Sequence, residues 1–231
     1  MRVFAPRGCL GLLFIAMTAD LPIFPLELVL VPGEPLPLHI FEERYQELVA
    51  RCVDDHEPFV IVLSDQDGMR DVGCTAEITD VSERFPDGRS NIVALGRSVV
   101  RLSGVHDDHA YRSALAEDLA DDPSEAPQDQ QDDAIAIYAS LAMELGGSVP
   151  EAPTPGPGLS YALIARVDLG LDVKQALLED RDEVRRIAVV TSLLHEIHRG
   201  LVLTRETQER ARRNGRVRTP EELAAELGLT D

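Results

Sequence analysis

The chain has 231 residues with a formal net charge of -19, long enough for one large domain or two small ones. A charge of that sign argues against nonspecific attraction to nucleic acid or to an anionic membrane, because such partners are held first by charge, and favours basic or neutral partners. The three cysteines, Cys9, Cys52 and Cys74, are odd in number and lack CxxC spacing, which points to neither a disulfide framework nor a zinc knuckle and fits a reducing cytoplasm.

Residues 1–20 combine a basic start with a short apolar run, Cys9 to Met17, too short to span a bilayer. The reading preferred is a leader or mis-assigned start, with Met17 as initiator; cleavage after Ala19 is the alternative. From Leu21 to Val31 an apolar run is broken by Pro22 and Pro25, which predicts a strand at a sheet edge. Pro32 and Gly33 mark a turn, and Pro35 and Pro37 keep Glu34 to Ile40 extended. Phe41, Tyr45, Leu48, Val49, Cys52 and Val53 then recur at helical spacing, with charged residues on the other face, the pattern of an amphipathic helix packed on a sheet.

Phe59 to Leu63 reads as a buried strand, and Cys74, Ala76 and Ile78 alternate with polar residues as a half-buried one. Pro86 to Gly88 predicts a hairpin turn, Ile92 to Leu95 and Ser98 to Leu102 two further strands, and Tyr111 to Leu119 the last. Residues 121–133, rich in acids and proline, are expected to be a solvated linker. Beyond it the period is helical. Ala134, Ile137, Tyr138, Leu141 and Leu145 share a face, a second helix is expected around Leu159 to Val167, and Asp172 with Gln175 and Asp180 with Glu183 have capping-box spacing. The last of these helices is expected to stop at Gly200, with a polar tail over 201–231 containing one short final helix.

The segment Leu21 to Tyr45, LPIFPLELVLVPGEPLPLHIFEERY, resembles the opening of the N-terminal substrate-binding domain of Lon-type proteases. There a proline-broken strand, a Pro-Gly turn and a PLxIFExRY segment follow in the same order. Similarity continues through Asp71 to Ile78, Pro86 to Arg89, Asn91 to Leu102, and Leu159 to Gly200. The resemblance implies an α+β fold, a PUA-like β pseudo-barrel over 21–120 followed by a C-terminal α-helical bundle over 134–200, and a role in engaging polypeptide substrates. It also implies unfolded or extended polypeptides as partners, with a protease or chaperone as a further one. The sequence has no GxxxxGK phosphate loop, and its one lysine, Lys174, lacks the family's catalytic-serine context, so no ATPase or serine-lysine peptidase is expected.

Candidate binding residues are Phe24, Leu26 and Leu28 on the first strand, with Arg44 and Tyr45 on the first helix, since aromatic and arginine side chains often anchor interfaces. The competing reading packs Tyr45 inward and pairs Arg44 with a nearby carboxylate. No catalytic, cofactor or metal residue is expected. His39 reads as a hydrogen-bonded structural histidine; His195 and His198 lack HExxH spacing; His106 and His109 fall in a loop; Ser160 sits near a helix start. RNA binding by a PUA-like protein and small-molecule hydrolysis remain alternatives. Against RNA stand the acidity, 4% aromatic content and absence of tryptophan, where single-strand binders usually combine a positive groove with stacking aromatics; a hydrolase would require a deep pocket of convergent titratable groups.

Overall fold

The computed structural model describes residues 18–146 and 152–214, the side chains as far as 210; the expectations for the leader and for a short final helix lie outside these residues. The elements in chain order are β1 (Thr18–Leu26), β2 (Pro35–Ile40), α1 (Glu43–Asp55), β3 (Phe59–Asp65), β4 (Gly68–Met69), β5 (Val72–Arg84), β6 (Ser90–His106), β7 (Ser113–Asp118), α2 (Gln128–Glu144), α3 (Leu159–Ile164), α4 (Leu171–Glu179) and α5 (Glu183–Asn214). The result is a mostly antiparallel sheet plus helices. They fall into two compact units, one with the strands, Ser160–Arg186 and the chain up to Ser124, the other with Glu125–Leu159 and the chain from Ile187.

In the first unit, β1 pairs with β7, β7 with β6, β6 with β5, β5 with β3, and β3 returns to β1 as the single parallel pair. Five strands thus form a closed ring, while β2 lies on the first half of β6. Both faces of β3 are covered, which explains its unbroken apolar run. Phe59 and Ile61 join a cluster with Phe24, Tyr45, Leu48 and Cys52 under α1, whereas Val60 and Val62 join Leu21, Ile23, Val100, Leu102, Ala114 and Ala116.

Strand β1 is not an edge strand, contrary to the sequence expectation. It carries β7 along Thr18–Pro22 and β3 along Ile23–Leu26, so each half has one open side, which is where prolines are tolerated. The turn after β1 is fastened by Gly96, whose N–H donates to Glu34 O (3.0 Å) and whose carbonyl accepts from Gly33 N (2.9 Å). A β-carbon at Gly96 would collide with the Val31 carbonyl.

Helix α1 starts at Glu43 with Glu42 as its N-cap, leaving Phe41 outside the helix and 61% exposed rather than inward. The two strands expected over 92–102 are one, β6, because its alternation runs through Gly96 without a turn. Segment 121–133 is not a linker throughout: Asp121 ion-pairs with Arg181 and Arg186, and α2 begins at Gln128. Both capping boxes fail. Gln175 donates instead to Val72 O and Glu179, and Asp182, not Asp180, accepts from the backbone of Val184 and Arg185 at the start of α5.

Arg186 is the largest fully buried side chain. It donates to Ser160 Oγ (3.0 Å), Asp121 (2.5 and 3.0 Å), Glu183 (2.5 Å) and Asp180 O (2.6 Å), and its guanidinium lies 4.2 Å from the Tyr161 ring centroid. Burial is the largest single influence on Arg186 and opposes its charge, but the bond to Asp121 together with the charges of Asp121, Glu183 and the Tyr161 phenol raises its pKa, while burial pushes the Tyr161 phenol up to about 12. Lys174 likewise ties α4 to Glu34 at 2.7 Å.

In the second unit α2 buries Ala134, Ile137, Tyr138 and Leu141 as expected but leaves Leu145, at its C-cap, 66% exposed, while α5 buries Val190, Thr191 and Leu194. The buried Gln131 amide bridges Ala126 O and Gly156 N. Helix α5 passes Gly200 without stopping, supported beyond it by the pairs Arg205 with Glu144 and Glu209, and Arg210 with Glu206. Its stretch Glu183–Arg210 is long and apolar enough to cross a membrane, a test that a soluble protein's core helix also passes.

Candidate functional site

The ladder between β1 and β7 ends at Pro22 and Ser113, after which only Ile23 N reaches across to Arg112 O (2.8 Å). The β6–β7 loop then diverges, and where β7 would have continued a cleft of about 530 Å³ opens. Its floor is Ile23, Pro25 and Leu26 of β1 and Glu27 just after it, with Ser64 from the end of β3. One wall is the start of α1, Arg44 and Tyr45; the other is the loop, Asp107 and Ala110 to Arg112.

Three of the five residues singled out from sequence, Leu26, Arg44 and Tyr45, line this cleft. Phe24 lies beneath it, its ring stacked on Tyr45 at 4.0 Å between centroids. Leu28 is half-buried against the core under α1 and does not reach the cleft. Both features of the competing reading occur as well: Tyr45 is buried, and Arg44 donates to Glu42 at 2.9 Å. The Arg44 guanidinium sits 4.5 Å from the Tyr45 ring centroid, a favourable cation–π position. Burial raises the Tyr45 pKa, and Arg44 partly offsets this.

On the opposite wall Tyr111 is buried with its hydroxyl held by Arg51 (3.1 Å), and Arg112 pairs with Asp107 (3.3 Å). The cleft therefore presents a strand with an open side between two walls that each carry a tyrosine and an arginine. Such a surface suits an extended chain that donates to the carbonyls on the open side of β1, where Ile23 N is already engaged and Pro25 has no N–H to give, and that lays side chains against the walls. The loop residues Asp107 to Arg112 were missed from sequence. Their only signal is the aromatic and basic pair Tyr111-Arg112 ahead of a strand, and nothing local tells that it meets Tyr45.

Most of the other polar residues singled out from sequence have partners in the structure. His39 Nδ1 is 2.6 Å from Asn91 Oδ1, His109 stacks on Tyr111, and Ser160 donates to Glu183 while accepting from Arg186. His195 lies 3.6 Å from Asp133, and no metal-ligand cluster occurs among the described residues. Burial pushes the Cys52 and Cys74 thiols up to about 12, far from a nucleophilic thiolate.

Among solved structures the chain is similar to a Lon N-terminal domain protein from Xanthomonas campestris, with TM-score 0.61 and 21% identity over 75% of this chain and 98% of that one. It is also similar to the N-terminal domain of Mycobacterium avium complex Lon protease, with TM-score 0.58 and 17% identity over 77% of this chain and 98% of that one. At these identities the likeness concerns the fold. The family model of the ATP-dependent protease La (LON) substrate-binding domain matches residues 20–196, a span holding every strand and the cleft. The chain belongs to the Lon substrate-binding domain family.

Proposed function

We propose that the protein is a non-catalytic polypeptide-binding module that takes an unfolded or extended segment of a client into the cleft over β1. The observation that carries this reading is the open side of β1 beyond Pro22, set between the Tyr45–Arg44 and Tyr111–Arg112 walls. Hydrogen bonds from the client backbone to the open carbonyls of β1 supply affinity without sequence preference, and apolar client side chains settle on Leu26 and the tyrosine rings. In this reading the five-strand ring is a PUA-like pseudo-barrel used as a rigid frame. The protein acts as an adaptor that presents its client to a separate protease or chaperone in the cytoplasm. RNA binding and small-molecule hydrolysis are less well supported, since the cleft combines two arginines with Glu27 and Asp107 and has no nucleophile beside a base.

The test is fluorescence anisotropy of the full chain with labelled extended peptides of uncharged, apolar-rich sequence. Leu26→Asp and Arg44→Ala are expected to weaken binding at least about tenfold together; because Leu26 also packs on the core under α1, the unfolding midpoint is measured alongside and affinities are compared at a temperature where the variant is folded. Unchanged affinity in the double variant would remove the cleft from consideration.

A further inference from the structure

The ring has a second opening, at the end opposite the cleft. A concavity of about 710 Å³ is lined by Ala19 to Leu21 of β1, Ala116 and Asp118 of β7, Arg97, Ser98 and Val100 of β6, Thr75 and Glu77 of β5, and His56 to Pro58, which lead into β3. Four ring strands and the segment leading into β3 therefore meet it, at the start of β1 and the end of β7, whereas the cleft lies at the ends of β1 and β3. Openings at the end of a strand barrel are habitual ligand sites.

The chemistry of this opening is lopsided in a specific way. Its apolar part is Leu21, Val100 and Ala116, each largely buried. Around them stand four carboxylates, Asp20, Glu57, Glu77 and Asp118, against the single guanidinium of Arg97. Arg97 already lies on Glu77, with Nε and Nη2 both 2.7 Å from Oε2. Asp20 is engaged by His106 at 3.0 Å and Glu57 more distantly by Arg51 at 3.5 Å. Asp118 pairs with no cation among the described residues. The β5–β6 ladder shifts register between Cys74 and Ala76, and there Thr75 Oγ1 accepts from Ser98 N (2.9 Å) and donates to Ser98 O (3.3 Å), fixing the wall that carries Glu77.

An apolar floor with an acidic rim matches a long aliphatic stem ending in a cationic head. We propose that this end of the ring is a second binding site, for lysine or arginine side chains of an extended, basic polypeptide segment. The inference rests on the polypeptide-binding reading and names the class of client within it. Charge complementarity supports it at two ranges: the local excess of carboxylate at the opening, and the net charge of -19 on the chain, which draws basic segments toward the surface before they dock.

The experiment uses the full chain and three labelled peptides of equal length in which leucine alternates with arginine, glutamine or glutamate. The arginine peptide is expected to bind at least about tenfold more tightly than the glutamine peptide at low salt, with the gap closing near 0.5 M salt as screening sets in. Asp118→Asn/Glu57→Gln is expected to reduce the gap to about twofold, whereas Asp129→Asn/Asp132→Asn, on α2, leaves it unchanged. Equal binding of the arginine and glutamine peptides, a gap that survives the first double variant, or a gap reduced equally by the second would overturn the proposal. So would spermine binding more tightly than the arginine peptide, which would assign the opening to a free polyamine. Loss of glutamine-peptide binding in Leu26→Asp/Arg44→Ala with the arginine preference intact supports both sites. Glutamine-peptide binding untouched by that variant sinks only the cleft, and failure of every peptide to bind sinks both.

Discussion

The rings of Phe24 and Tyr45 stack with centroids 4.0 Å apart and planes inclined by 27°, so one aromatic pair joins β1 to α1 and also underlies the cleft. Phe59 extends the set, its centroid 6.2 Å from that of Phe24. The wall of the cleft is thus anchored in the core under α1, and its shape does not depend on a surface loop alone.

Removing this anchor should therefore affect stability and binding differently depending on what is removed. Tyr45→Ala deletes the stack and most of a buried side chain and is expected to cost about 3 kcal/mol, read as a lower urea midpoint. Tyr45→Phe keeps the stack and is expected to stay within about 1 kcal/mol of the parent. A Tyr45→Ala variant as stable as the parent would mean that the ring is not part of the core.

Arg186 ties together three separate segments of the first unit. With no exposed surface, it satisfies Asp121 beyond β7, Glu183 at the start of α5 and Ser160 on α3. Arg186→Met strands Glu183, itself nearly buried, without its cation, and the expected loss is about 3 to 5 kcal/mol. Arg186→Lys restores charge but not the planar fork and should recover only part of it. Urea unfolding of the two variants separates charge from geometry; equal midpoints for Met and Lys would assign the whole effect to the fork.

How much of this was legible depended on the range of the interactions involved. The period-3.6 stripe of α1 reports burial directly, so Tyr45, Leu48 and Cys52 were placed inward from local pattern alone, whereas the alternation read in β5 holds only in part, since Thr75 is buried along with Cys74 and Ala76. The prolines of β1 were misread, because a sequence signals that an N–H is missing but not that one strand changes partner at Pro22, from β7 to β3. Spacing to Glu183 selects Asp180 as the cap, yet Asp182 serves instead. Only the buried demand of Ser160 and Arg186 on Glu183 determines which one serves. Gly200 costs a helix about 1 kcal/mol, which the flanking pairs of Arg205 and Arg210 help offset. In the cleft, Arg44 and Tyr45 were found because an arginine beside an aromatic side chain suits an interface, and Tyr111 and Arg112 were not, because they read as the start of a strand and nothing local sets them opposite α1.

Gly96 offers a test of that ring from the backbone side. Its Cα faces the Val31 carbonyl so closely that a methyl group has no room, and the opposing atom belongs to backbone held by Gly33 and Glu34. Gly96→Ala is expected to destabilise by about 2 to 3 kcal/mol through displacement of the β1–β2 turn. A neutral outcome by thermal denaturation would show that this turn can move freely off β6.

His106 makes stability depend on pH in a direction opposite to that of paired carboxylates. Its Nε2 lies 3.0 Å from Asp20, and its Nδ1 is 3.0 Å from Asp108 without hydrogen-bond geometry. The bond to Asp20 raises its pKa above the ordinary 6.5, with Asp108 adding to the effect. A histidine with a raised folded-state pKa binds its proton more tightly in the native protein than in the unfolded chain. Its contribution is therefore fully present below the unfolded value and is lost as pH rises through the folded one. The ring strand β1 is tied to the end of β6 through this contact, so its loosening is expected to begin above about pH 6.5. His106→Gln should remove the contribution, so that the difference in unfolding midpoint between parent and variant is largest near pH 5.5 and shrinks toward about pH 8. A difference that grows with pH instead, or an imidazole NMR titration of His106 centred below 6.5, would mean that the pair with Asp20 does not hold the proton.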